Sequence, residues 1–225
     1  MIVDKPLEGV TVDRRLHPAG RAGSLLSLKE VAERGWKARM SPRLRAWVTQ
    51  QLDACGVSRD SRRKKMQCVL DATRAKVPYI ADPVMGEFMA TPDQVLCLDH
   101  EKGLCIIGCD CDEFTIILIA SAMCIGIPAM VIGSSHKHPH DVPTHVFGAF
   151  QDEQEDWVKM DGTTKHPVGK VGLHGREWWV EPGAEAKDRG EGDFVGMAGG
   201  SEVGVSGGRT KRRPSAIDLL YPYIR

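Results

Sequence analysis

No apolar run in this 225-residue sequence approaches the roughly 20 residues of a membrane-spanning helix. The longest, from Phe114 to Ile132, is broken by Ser121, Gly126 and Pro128. The opening stretch MIVDKPLEGVTVDRR lacks the apolar centre of an export signal. Together these absences predict a protein made and kept in a cytosol. Net charge is absent too, because 30 Lys and Arg balance 30 Asp and Glu. Aromatic residues are few, at 6%, and they are not interleaved with basic ones, so nucleic-acid binding has no support. No internal repeat occurs. No Cys-x2-Cys pair occurs either, which removes the usual zinc spacings. Seven cysteines, an odd number without an export signal, predict thiols rather than a disulfide framework.

What is present is unevenly spread. Residues 1–80 hold 17 basic and 8 acidic residues, 81–200 hold 8 and 20, and 201–225 hold 5 and 2. A basic front and an acidic middle suggest docking to protein partners or to further copies of the chain. The run Arg62–Lys65 reads first as a solvated helix face, and otherwise as part of such a docking surface. Three helices are expected in this front. A short one covers Leu26–Trp36, with Ser24 or Ser27 as its cap. The next follows Ser41 and Pro42, an N-cap and a first-position proline, and buries Leu44, Trp47, Val48 and Leu52 before Gly56. The third runs over about 62–75 with Met66, Val69, Leu70 and Thr73 on one face. Residues 77–96 read as extended and loop-like. From about Glu181 to Arg213 the chain is Gly-rich, charged and poor in large apolar residues. It ends in SAIDLLYPYIR, an apolar cluster that either binds a neighbour or folds back. The expected organisation is a basic helical extension over 1–60, a core over 61–180, and a linker with an interaction tail over 181–225.

The chemistry concentrates in GCDCDEFTIILIASAMCIGIPAMVIG, residues 108–133. From Asp112 to Ile125 the pattern is helical and apolar on every side, so this helix is buried and central. Gly126 and Pro128 stop it. Cys111 therefore sits at a helix N-terminus, where unpaired N–H groups and the helix dipole favour a thiolate. Asp112 and Glu113 oppose that effect, so a nucleophile here needs a histidine. Two strands, THVFGAF and WVKMD, joined by the acidic turn QDEQED, supply one. Alternation puts His145, Phe147 and Ala149 on one face, and Trp157, Lys159 and Asp161 on one face. Pairing Phe150 with Trp157 sets His145 opposite position 162, and one position of slack brings in Asp161. Each piece alone has an ordinary structural explanation. Nucleophile, base and orienter in the order Cys111, His145, Asp161 carry the weight together.

These motifs resemble the transglutaminase-like superfamily of papain-type cysteine enzymes. The resemblance rests on Asp110-Cys111-Asp112-Glu113-Phe114, on Gly126-Ile127-Pro128-Ala129, on His145-Val146, and on Trp157, Asp161 and Thr163. It spans about Pro78 to Val171. Within that span, YIADPVMGEFMATPDQVL, residues 79–96, is similar to versions encoded near the structural genes of tailed phages and prophages. One departure stands out: the family's glycine before Asp-Cys is Cys109 here, with Gly108 one place earlier. The resemblance implies an α+β fold, with a papain-like core in which a central Cys-bearing helix packs on an antiparallel sheet. N-terminal helices and a flexible C-terminal arm flank it. It implies cysteine-dependent acyl transfer on amide bonds of a protein or peptide, by hydrolysis or crosslinking. Neither cofactor nor metal is required. One oxyanion donor is the Cys111 backbone N–H, and a second comes from an unplaced upstream side chain. Cys109 is the alternative nucleophile.

Two other readings compete. His136, His138 and His140 alternate in HKHPHD, close to Cys105, Cys109 and Cys111, as a metal site would want. A loop bordering the cleft fits that stretch better. Alternatively the fold serves as a connector or virion component with little or no catalysis, in which case the chain ends up in a particle assembled in the host cytoplasm.

Overall fold

The computed structural model describes residues 21–81, 89–98, 108–135, 143–172 and 177–182. The expectations for residues 1–20, for His136, His138 and His140, and for the tail from 183 onward lie outside the described residues.

Helix α1 spans Arg21–Ala38, longer at both ends than the pattern suggested. Helix α2, Pro42–Ala54, starts where its cap demands: the Ser41 hydroxyl accepts the Leu44 N–H, and Leu44, Trp47, Val48 and Leu52 are its buried stripe. Helix α3, Arg62–Lys76, is capped by Ser61 and buries Met66, Cys68, Val69, Leu70 and Thr73. A short helix the pattern did not reveal, α4 at Pro92–Val95, begins with a Thr91–Gln94 capping box. Helix α5, Cys111–Cys124, is apolar all round and almost wholly buried. Strands β1 (Ala129–Ser134), β2 (His145–Gln151), β3 (Trp157–Met160) and β4 (Glu177–Val180) form one antiparallel sheet, ordered β3-β2-β1-β4. The fold is α+β. Among the described residues, no helix is long and apolar enough to cross a membrane.

Helix α5 is the hub, touching α1, α2, α3, α4, β1 and β2. One apolar cluster joins Leu28 and Val31 of α1, Leu44 and Val48 of α2 and Leu70 of α3 to α5 and to Val131, Phe150 and Val158 of the sheet. On the other side, Ile132, Phe147 and Ala149 form a small second cluster with Val171 and Trp179. The sheet curls around it. β3 and β4 are the outermost strands, yet Trp157 and Trp179 have ring centroids 6.2 Å apart and Lys159 Nζ lies 2.5 Å from Glu177 Oε1. The right-handed twist of a short sheet allows this closure.

Three expectations need correction. Cys55 and Cys68 form a disulfide, with Cα atoms 6.4 Å apart, and Cys97 is disulfide-bonded as well. The Cys55 cap of α2 and the first turns of α3 come within bridging distance once the two helices pack, a proximity that cysteine counting does not see. Cys109, Cys111 and Cys124 are not in disulfides. The basic run at 62–65 is also more than a solvated face. The Arg63 guanidinium makes two hydrogen bonds to Asp152 Oδ2, at 3.0 and 2.8 Å, and Arg62 donates to the Asp152 carbonyl at 2.8 Å. Part of the basic front therefore pairs with the acidic β2–β3 turn of its own chain. Finally, the hairpin register is Gln151 opposite Trp157, not Phe150.

Candidate active site

The start of α5 is built by its own acids. Asp110 is extended, and its side chain accepts the Asp112 N–H at 2.9 Å. Glu113 reaches back to accept the Asp110 N–H at 3.2 Å, completing a capping box. Its other oxygen accepts the Ala90 N–H at 3.0 Å. The residues just before the helix are laddered to an upstream segment: Cys109 N–H donates to the Pro78 carbonyl at 3.2 Å and Ile80 N–H to the Cys109 carbonyl at 2.9 Å. Gly108 feeds this ladder with a φ of 94°, and a Cβ there would lie 2.4 Å from Ile80 Cδ1. The glycine that this turn requires thus sits one place before Cys109. Cys109 is buried, which removes it from solvent, whereas Cys111 is half-buried at the first position of the helix.

His145 begins β2 and Asp161 follows β3. His145 Nε2 lies 3.0 Å from Asp161 Oδ2. Asp161 Oδ1 accepts the Thr163 N–H at 2.9 Å and the Thr163 hydroxyl at 2.8 Å. Continuing the observed register past Gly148–Met160 would set Asp161 beside Phe147, two positions from His145 on the same face. Side chains placed diagonally in this way still meet. The slack thus runs opposite to the sequence-based expectation, but the same two residues come together. Burial would raise the Asp161 pKa, and it is outweighed by the hydrogen bond and charge of His145 and the two Thr163 bonds, which leave it below the ordinary value.

The Val146 backbone hydrogen-bonds the Cys111 sulfur, so the thiol lies against the start of β2, the strand that His145 begins. Its ionisation is not favoured, however. Burial pushes the Cys111 thiol well up, the charges of Asp112 and Asp110 push it further, and the Val146 contact opposes them only in part. The sulfur also donates to Asp112 Oδ1 at 3.5 Å. A helix-terminal dipole that favours a thiolate is therefore overridden here by two adjacent carboxylates and desolvation. No protein-family model and no curated protein matches this chain. The site stands on its geometry.

That geometry adds residues that sequence reasoning missed. Tyr79, half-exposed in the segment laddered to Cys109, has its phenol pKa raised by burial and then by Cys111, Asp110, Asp112 and Asp161, which places it in the field of the whole site. Its contact with Cys109 spans 30 positions and has no local signature. Thr163 was readable, because Asp-x-Thr is a turn in which the acid accepts from the residue two places on. Asp110, Cys111 and Asp112 bring donor atoms within 4.8 Å of one another and are the described residues that could hold a metal ion. Asp110 already serves as the helix cap, and a metal would occupy the sulfur. The histidine loop at 136–140 lies outside the described residues.

Proposed function

We propose that the chain catalyses cysteine-dependent acyl transfer on amide bonds. The observation that carries the reading is the His145–Asp161 pair at 3.0 Å beside the residue whose backbone contacts the Cys111 sulfur. Asp161 engages Nε2, so Nδ1 takes the thiol proton as sulfur attacks the carbonyl carbon. The C–N bond then breaks, and the imidazolium returns that proton to the leaving amine. Water or a second amine attacks the thioester, again giving its proton to Nδ1, and the departing sulfur recovers it. Because the resting thiol is protonated, His145 acts as a general base during attack rather than holding a preformed ion pair. The Cys111 N–H, at the first position of α5, is one oxyanion donor. The Tyr79 phenol, carried by the segment laddered to Cys109, is the second.

The test is iodoacetamide labelling mapped by mass spectrometry from pH 6 to 9, in wild type, His145→Ala and Asp112→Asn proteins. The wild-type Cys111 rate is expected to climb through the alkaline range and to exceed that of buried Cys109 and Cys124. His145→Ala should slow it at neutral pH by about 10-fold or more. Asp112→Asn removes the nearest negative charge and should speed it. A Cys111 rate that ignores both substitutions sinks the proposal.

The elevated thiol supports a second reading. A nucleophile disfavoured in this way is what a connector or virion component on the same fold would retain. Labelling that is indifferent to His145 would favour this reading.

A further inference from the structure

The geometry points to Arg74 as the positioning residue of the Asp161 carboxylate, an inference that deepens the acyl-transfer reading and rests on it. Arg74 lies in the last turn of α3, far from Cys111 in sequence and on a helix that contributes nothing else to the chemistry. Its guanidinium grips three carbonyls of the segment that follows β3. Nη2 donates to the Asp161 carbonyl at 2.5 Å and to the His166 carbonyl at 2.8 Å, and Nε donates to the Gly162 carbonyl at 3.2 Å. Asp71 lies against the opposite edge of the guanidinium, 3.7 Å away. The planar fork suits this task, since one rigid group fixes several acceptors at once. A second α3 residue, Gln67, accepts the Val168 N–H at 2.9 Å and extends the grip along the same segment.

Helix α5 closes the segment from the other side. A Cβ at Gly162 would lie 2.6 Å from Phe114 Cδ1, so Phe114 packs directly onto the glycine that follows Asp161. Phe114 is one turn from Cys111 on the same helix. The Asp161–Gly162 peptide is therefore held between Arg74 of α3 and Phe114 of the helix that bears the sulfur. Asp161 is the first residue past β3, where the ladder no longer fixes the backbone. With the carboxylate already accepting from Thr163, the backbone grip decides whether Oδ2 reaches His145. A displacement of about 1 Å in such a group can cost about 100-fold in rate.

The experiment compares wild type, Arg74→Met and Arg74→Lys by three measurements: thermal melting, the Cys111 alkylation rate at neutral pH, and the downfield proton resonance of the hydrogen-bonded His145 ring N–H. In folded Arg74→Met the resonance should vanish and the alkylation rate should fall by about 10-fold or more. Arg74→Lys keeps the charge without the fork and should lie between. A folded Arg74→Met that keeps both the resonance and the rate overturns the inference and leaves Arg74 as a tie between elements. If Arg74→Met does not fold, Arg74→Lys decides, and a wild-type resonance and rate there overturn the inference. If wild-type Cys111 itself shows no dependence on His145, the acyl-transfer reading fails, while the resonance still reports whether Arg74 positions Asp161.

Discussion

Asparagine at position 161 is expected to cut acyl transfer by Cys111 by about 10⁴-fold while leaving the protein folded. The argument lies in who faces whom. Oδ1 of Asp161 accepts both the N–H and the hydroxyl of Thr163. In the variant those two donors hold the amide oxygen in the same place, which turns the NH2 group toward His145 Nε2. Nε2 must then accept, the ring proton moves to Nδ1, and the imidazole no longer takes a proton from the thiol. Release of p-nitrophenolate from p-nitrophenyl acetate, followed with Cys111→Ala as the blank, measures the loss. A second consequence concerns acid. The Asp161 pKa is lowered in the folded state, so this carboxylate contributes stability above its unfolded value of about 3.9, and that contribution is lost as pH falls through the folded value. Asp161→Asn should flatten the melting curve's acid limb. Turnover within a few fold of wild type would mean that Asp161 is a turn residue and nothing more.

The parts of this site that were legible in the sequence are those governed by local rules. Ser41-Pro42 announces α2, and an apolar surface on every side announces that α5 is buried. The first-turn acids of α5 announce where that helix starts, with Cys111 at its first position, and the alternation of β2 and β3 puts His145 and Asp161 on faces that meet. What failed was non-local. Arg74 meets Asp161 across 87 positions and the Arg63–Asp152 contact spans 89, so no spacing reveals either. β4 was missed because EWWV is only four residues long and carries adjacent tryptophans rather than a clean alternation. Trp178 and Trp179 separate onto opposite faces, one in the main core and one in the small cluster, only after β4 pairs with β1. The disulfide was missed because an argument from cellular compartment says nothing about where two helices pack. The thiol's ionisation was half legible. The opposing acids were visible, but their dominance over the dipole needed the burial.

Glu113 is expected to make the protein lose stability as pH rises from about 5 to about 8, and Glu113→Gln is expected to reverse part of that loss. Glu113 is buried at the start of α5 and accepts from both Ala90 N–H and Asp110 N–H. Burial first, and then the charge of Asp110, raise its pKa from 4.5 to about 8, with the Ala90 bond opposing. A carboxyl whose folded pKa is raised contributes its stability in full below its unfolded pKa and loses it as pH climbs through the folded value. Each unit of that span is worth about 1.4 kcal/mol, so several kcal/mol of stability depend on pH in the range where most assays are run. Glutamine cannot ionise and removes the slope. It also has a single acceptor oxygen for two backbone N–H groups, which costs about 1–3 kcal/mol where Glu113 is protonated. The two melting curves should therefore cross, with glutamine less stable at pH 5 and more stable at pH 9. Parallel curves would mean that Glu113 is already ionised at pH 5. In that event the cap of the cysteine helix would hold three carboxylates together, Asp110, Asp112 and Glu113, and the sulfur beside them would be harder still to deprotonate.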